Sequence, residues 1–227
     1  MIIKNEFLSD YDYIKSVHKK NQIVLHHTVS STAQSTINWF KNDGGKSKVA
    51  VAFVIDKDGT IYKLFEPKYW AWHLGKGSNT RHNAFSIGIE IVNEGGLVKK
   101  EDKLYWFDGK YEYKGDYIEL EKEFRGYKYF AKYTKLQVLA VHELIEKLIK
   151  DFEIEKKFSN TFNYDQQFRT FNGVILHCNV QPHKTDLSPA WDLKETNDFI
   201  LSLGQKKENY GKEIFGVKEK KAFKKEK

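Results

Sequence analysis

The sequence predicts a mixed α/β fold of the α+β kind, a single domain whose central mixed β-sheet is flanked by helices. Three observations predict it. Short β-branched runs alternate irregularly with segments of helical period. At 227 residues the chain suits one large core. Aromatics are plentiful (16 Phe, 13 Tyr and 5 Trp) and prolines few (3), which suits a packed body rather than a disordered chain.

The elements follow in order. Ile23-Val24-Leu25, running into His26-His27-Thr28, reads as a short buried strand. Ser31 with Gln34 three residues on resembles a capping box, predicting a helix that carries Ile37, Trp39 and Phe40 and stops at Gly44-Gly45. Val49 to Ile55 and Ile61 to Phe65 flank Asp56-Lys57-Asp58-Gly59, a hairpin signal because Asp-Gly tolerates positive φ. Ser86 to Val92 reads as another central strand. A tyrosine-rich, charged stretch at 97–132 reads as an insertion or lid, a hairpin around Phe107-Asp108-Gly109.

Thr134 with Gln137 is a second capping box, opening a helix with Val138, Val141, Leu144, Ile145 and Leu148 on one face. Val174-Ile175-Leu176 forms a short strand ending at His177, and Asp192 to Glu195 caps a last helix that stops near Gly204. The catalytic domain is thus expected over 1–205. A Lys/Glu-rich tail over 206–227 lacks a buried-face pattern, although Ile214, Phe215, Val217 and Phe223 could dock somewhere.

The formal net charge of +7 is unevenly spread. Nine Lys and four Glu fall in the last 22 residues, leaving 29 basic against 27 acidic residues in the body. Nucleic-acid recognition needs a basic face on the body itself, so no nucleic-acid partner is expected. A single cysteine, Cys178, excludes an intrachain disulfide. The opening residues turn acidic before any apolar run develops, so no signal peptide is expected. No apolar run approaches the ~20 residues a membrane span needs, so no membrane insertion is expected either. The expectation is a monomer made in the cytoplasm, which another agent must carry to any outside target.

His26 and His177 each end a short β-branched strand, where a sheet presents side chains to a cleft. Asp186 lies nine residues past His177, in a loop able to bring a carboxylate back to the same ion. Two His and one carboxylate leave a fourth tetrahedral position of zinc open for water, as hydrolysis needs. Alternate strand residues face opposite ways, so only one of His26 and His27 should reach the metal. The same geometry disfavours Cys178 as a partner of His177, while His183 competes with Asp186 for the third place. Glu90, between Ile89 and Ile91, reads as a solvated strand glutamate when taken alone, and Lys184 as an ordinary surface lysine. Trp70 and Trp72 suit sugar stacking and core packing equally. His18, His82 and His142 read as structural or surface residues.

Three segments in order resemble the type 2 N-acetylmuramoyl-L-alanine amidase family, which includes phage endolysins, cell-wall-recycling amidases and peptidoglycan recognition proteins. They are Ile23-Val-Leu-His26-His-Thr28; Trp72-His73-Leu-Gly75 through Asn83 to Ser86-Ile-Gly-Ile-Glu90-Ile-Val-Asn93; and Leu176-His177 through Lys184-Thr-Asp186. The resemblance spans roughly 20–203, apart from 97–132 and the loop around Phe162 to Thr170. It implies one zinc ion on His26, His177 and Asp186, with the K-x-D pattern favouring Asp186 over His183. It implies Glu90 as general base, passing a proton to the leaving amine, and Lys184 as stabiliser of the oxyanion. Trp72, His73 and Asn83 become substrate contacts, His73 alternatively orienting the site.

Cleavage between N-acetylmuramic acid and L-alanine of peptidoglycan is the implied activity, in an endolysin released by a membrane-lysing holin or in a cytosolic recycling amidase. A module that binds peptidoglycan without cutting it is the competing class, although members of that kind typically lack a ligand. The tail as a nucleic-acid arm is a weaker third reading. Many relatives carry H-x-D and D-P-G where this chain has His177-Cys-Asn179 and Asp186-Leu-Ser-Pro189, which leaves the loop's shape open.

Overall fold

The computed structural model describes residues 2–42, 45–75 and 78–204. The expected tail, including Ile214, Phe215, Val217 and Phe223, lies outside the described residues, as does Gly44 of the expected helix stop. The chain runs through strands β1 (Ile3–Asn5) and β2 (Gln22–His27), helix α1 (Ala33–Asn42), strands β3 (Phe53–Ile55) and β4 (Ile61–Lys63), helix α2 (Thr80–Phe85) and strand β5 (Ser86–Ile91). Strands β6 (Gly96–Lys100), β7 (Lys103–Trp106), β8 (Glu112–Tyr113), β9 (Tyr117–Phe124) and β10 (Tyr127–Ala131) come next. Helix α3 (Lys135–Phe152), strand β11 (Gly173–Leu176) and helices α4 (His177–Val180) and α5 (Leu193–Ser202) complete it.

The central sheet is mixed, in the order β1-β4-β3-β5-β2-β11. Strands β3, β5, β2 and β11 run parallel, while β3 and β4 form the expected antiparallel hairpin. Its turn closes on Asp56 N to Thr60 O at 2.9 Å, with Gly59 at φ +81. All six residues of β2 are buried, so both faces of the sheet are covered there.

Alternation sorts the side chains between the two faces. Ile23 and Leu25 of β2, Ile87, Ile89 and Ile91 of β5, and Val174 and Leu176 of β11 share a core with Val141, Leu144, Ile145 and Leu148 of α3. Each such fully buried side chain stabilises the fold by about 1.5–3 kcal/mol. Val24 and Ile175 face the other way, against Leu74 and Val180 in a smaller cluster. That cluster leaves part of the second face to polar side chains.

Local chemistry explains the helix starts. The Thr134–Gln137 capping box is present, and Gln137 Nε2 also donates to Val92 O at 2.6 Å, tying α3 to the end of β5. Asp192 caps α5 by accepting from Glu195 N at 2.9 Å. For α1 the expected Ser31–Gln34 box is corrected by one residue. The first helical residue is Ala33, so Thr32 is the cap and accepts from Ser35 N at 3.2 Å, while Gln34 donates to Asn38 at 2.8 Å.

The 97–132 segment departs most from expectation. A single hairpin is replaced by a five-stranded antiparallel sheet, in the order β8-β7-β6-β10-β9. The turn at Phe107-Asp108-Gly109 exists, closing on Gly109 N to Trp106 O at 2.7 Å, but it joins β7 to β8. Two further reversals, at Glu101 and Asp102 and at Arg125 and Gly126, build the rest. Leu97, Leu104 and Ala131 form a small core of its own.

His142, a structural residue as expected, stacks on Phe199 at 4.4 Å and approaches Thr196 Oγ1 at 3.2 Å. Burial lowers its pKa from 6.5 to about 4. Between those values the unfolded state binds the extra proton, so stability falls as pH falls through that window. His142→Gln is expected to flatten this fall by up to about 1.4 kcal/mol per pH unit, measured by denaturant titration of metal-free protein between pH 4.5 and 6.5. Equal slopes in the two proteins would remove His142 as a source of acid lability.

Candidate active site

Register across three parallel strands builds the site. His26 of β2 pairs with Glu90 of β5, and Leu25 pairs with Leu176, the last residue of β11. His177 follows Leu176 directly, so Glu90, His26 and His177 form one row at the carboxyl ends of adjacent strands. That is where open α/β sheets bind ligands. His27 points to the opposite face, where its Nδ1 meets the Tyr133 hydroxyl at 3.0 Å.

Asp186 joins the row from the loop after α4. Its Oδ2 lies 2.8 Å from His177 Nδ1 and 3.3 Å from His26 Nδ1, and the two Nδ1 atoms are 2.9 Å apart. All three residues are buried. Burial acts to raise the Asp186 pKa, but the imidazoles of His177 and His26 override it and hold the carboxyl well below its usual range. Burial, reinforced by His177, lowers His26 to about 4, so it is neutral at physiological pH.

A hydrogen-bond relay then fixes which His26 nitrogen is free. Ser86 Oγ donates to His82 O at 2.7 Å, so it must accept from His73 Nε2 at 2.9 Å. His73 Nδ1 therefore accepts from His26 Nε2 at 3.0 Å, which leaves the lone pair of His26 on Nδ1, towards the cluster. That lone pair faces the Asp186 carboxylate at 3.3 Å, an arrangement that calls for a cation or a proton between them. The donor spacings sit slightly inside the ~3.4 Å edge of a tetrahedron with ~2.1 Å bonds. Two imidazoles and one carboxylate at this spacing fit a divalent metal ion.

Gly88 makes room for the relay. A Cβ there would stand 3.0 Å from Cγ and Nδ1 of His73 and 2.8 Å from Val51 Cγ1. The glycine within Ser-Ile-Gly-Ile-Glu thus lets the His73 ring lie over the sheet.

Cys178 is buried with Sγ towards Leu187 O at 3.8 Å, and burial pushes its thiol up to about 12, so it contributes no ligand. His183 is exposed and lies outside the cluster. Lys184 lines the cavity, its Cε 3.7 Å from where a Gly75 Cβ would stand.

A cavity of about 890 Å³ opens over the row, with Glu90, His26, His177 and Asp186 in its lining. Burial, and then the Asp186 charge, raise the Glu90 pKa to about 8, with Lys184 acting in the opposite direction. Glu90 Oε2 is buried without a hydrogen-bond partner among the described residues. Both features distinguish it from a solvated strand glutamate.

The three expected substrate contacts divide. Trp72 lines the cavity, whereas Trp70 is core, its Nε1 donating to Ser16 at 2.7 Å. His73 also lines the cavity, but its ring nitrogens serve the relay. Asn83 is fully buried, with Oδ1 accepting from His73 N at 2.9 Å and Leu74 N at 3.1 Å. It shapes the segment carrying His73. Sequence reading missed Trp39 and Phe107, which line the cavity and are 59% and 51% exposed. An aromatic beside the apolar stripe of α1, and another at a turn tip, were the available signals.

Comparisons with known proteins bear on this geometry. A family described as N-acetylmuramoyl-L-alanine amidase matches residues 17–191. A search of curated proteins found no match. Among solved structures, a mutant endolysin from Bacillus subtilis is 18% identical, covering 90% of this chain and 100% of its own, at a TM-score of 0.53. The N-acetylmuramoyl-L-alanine amidase LysC from Clostridium intestinale URNW is 17% identical, covering 87% of this chain and 96% of its own, at 0.52. AmiD from E.coli, solved with the substrate anhydro-N-acetylmuramic acid-L-Ala-D-gamma-Glu-L-Lys, is 18% identical, covering 82% of this chain and 59% of its own, at 0.53. At these identities the structures show a shared fold, while the family match spans most of the chain and holds the whole row of site residues. The chain belongs to the N-acetylmuramoyl-L-alanine amidase family of enzymes.

Proposed function

We propose that this amidase is zinc-dependent and cuts peptidoglycan between N-acetylmuramic acid and the L-alanine of the stem peptide, in an endolysin-like, lytic role. The observation that carries this reading is the buried His26–His177–Asp186 cluster, with Glu90 beside it in the same cavity. When bound there, zinc supplies Lewis acidity at the scissile carbonyl and eases ionisation of water.

The chain's own residues supply the rest. His26, His177 and Asp186 hold the ion, and His73 with Ser86 keeps the His26 lone pair on Nδ1. Glu90 takes a proton from the attacking water and returns it to the departing nitrogen of L-alanine. A carboxylate whose ionised form is penalised by burial takes up a proton readily, and a pKa near the working pH suits it to both the acceptance and the return. The Lys184 ammonium offsets the negative charge that builds on the carbonyl oxygen. Trp72, with Trp39 and Phe107, offers apolar ring faces to the sugar. Residues 1–205 act as the catalytic domain, and the basic 206–227 segment is an appendage to it. The lytic role draws on the endolysin among the similar structures; release by a membrane-lysing partner completes it.

Mass spectrometry of digested peptidoglycan is expected to show uncut glycan strands and stem peptides with free L-alanine amino termini. A chelator should abolish that release and zinc restore it; new reducing sugar ends would overturn the reading. Glu90→Gln should bind zinc with wild-type stoichiometry yet turn over about 10²–10⁴-fold more slowly, and near-normal rates would remove Glu90 from the mechanism. His73→Phe should weaken zinc affinity by about 10–100-fold in a competition titration against a chromogenic chelator. Unchanged affinity would show that the relay does not govern the ligand.

A further inference from the structure

We infer that Arg125 is a positioning residue for the catalytic loop, and that the second sheet acts on the reaction through it. Arg125 (φ 50) stands with Gly126 (φ 87) at the tip of the β9–β10 hairpin. Its guanidinium reaches four backbone carbonyls of other segments. Nη1 donates to Gln181 O at 3.2 Å and to Lys184 O, while Nη2 donates to Cys178 O at 3.0 Å and Phe162 O at 3.4 Å.

These acceptors place the contact. Cys178 and Gln181 lie in and just after α4, the single helical turn that opens with His177. So short a helix leaves its last carbonyls without intrahelical partners, and its carboxyl end favours a cation. Lys184 is the oxyanion residue of the proposed reaction and precedes Asp186 by two positions. One side chain therefore spans the segment from a first metal-site residue to the approach of the last. A planar fork with five donors and a permanent charge matches several carbonyls at once, as a lysine ammonium does not.

The hairpin tip is itself held in place. The guanidinium lies over the Phe124 ring at 4.9 Å, and Phe124 packs edge-on to Phe162 at 5.8 Å. Cys178 N donates to Asp186 O at 2.7 Å on the inner side of the loop. Arg125 holds the same segment from the second sheet, so the loop is tied both to itself and to the β9–β10 hairpin.

The test uses the full-length protein and three variants. Arg125→Ala removes the fork. Arg125→Lys keeps the charge and alkyl stem, and so serves if the alanine variant fails to fold. Lys128→Ala, which removes an exposed ion pair with Glu119 on the same hairpin, is the control. In both Arg125 variants, hydrogen exchange of the 178–187 amides is expected to rise by about tenfold or more while the central strands stay protected. The activity measurements rest on the amidase reading above; the exchange measurement does not. A misplaced loop should lower kcat by about 10–100-fold with KM changed far less. Ethylguanidinium added to Arg125→Ala should recover part of kcat, which a purely structural loss would not allow. Loop exchange and kcat like those of Lys128→Ala would overturn the inference, as would exchange rising equally across both sheets. A wild-type protein without amidase activity would sink the functional reading, and loop exchange would still decide the role of Arg125.

Discussion

Gly173 pairs with Gln22, and Gln22 with Ser86, and this register of three parallel strands sets what stands at the mouth of the sheet. A slip of one residue in β2 would turn His26 to the α3 face and bring Leu25 or His27 to the cavity. The register is enforced from the other side. Ile23, Leu25, Ile87, Ile89 and Ile91 bury completely or nearly so in the core under α3, and a slip would expose that whole row to the wrong face. The hydrophobic core thus does the aligning, and the polar row inherits its precision.

That row is costly to bury. His26 and His177 are each 2% exposed and Asp186 6%, and burial of an unpaired charge is strongly disfavoured. The structure limits the cost by keeping His26 neutral, lining up His73 and Ser86 behind it, and leaving the Asp186 carboxylate as the ionised member. A buried group of two imidazoles and one carboxylate is best compensated by a cation, and metal binding at such a site adds to folding free energy. Glu90 escapes the same arithmetic by favouring its neutral form.

Much of this was legible in the sequence because it depends on local patterns. Strand-end histidines, the Asp-Gly hairpin and the Thr134–Gln137 box are all written within a few residues of one another. The second sheet was not legible, for a physical reason. The eight residues of β9 include no fully buried position, and its half-buried face of Ile118, Leu120 and Phe124 is interrupted by Lys122 among charged neighbours, a weak strand signal. The backbone contacts of Asn83 and Arg125 were not legible for a different reason. Each residue acts through backbone groups of segments distant in sequence, and nothing in a polar residue's own neighbourhood announces such partners. Ser31 missed the helix cap by one position, where neighbouring Ser and Thr are equivalent by chemistry and only the first helical φ and ψ decide.

The altered loop after Asp186 left the third ligand least secure in the sequence, since Asp186-Leu-Ser-Pro189 lacks the glycine of related loops. Hydrogen bonds supply what that glycine does not. Cys178 N holds Asp186 O at 2.7 Å, and Cys178 Sγ approaches Leu187 O at 3.8 Å. The Tyr133 hydroxyl meets Ser188 from α3's leading end, at 3.4 Å from its Oγ. The residue after His177 therefore clasps the backbone of Asp186, and nine residues of separation shrink to a single contact. Asn179, in the position where relatives place an acid, completes the fastening by accepting from Leu176 N at 2.8 Å and donating to Thr161 O at 2.7 Å. A loop fixed by its neighbours in this way can change its sequence without moving its carboxylate, which is why Asp186 stays beside His26 and His177 despite the departure from the family pattern.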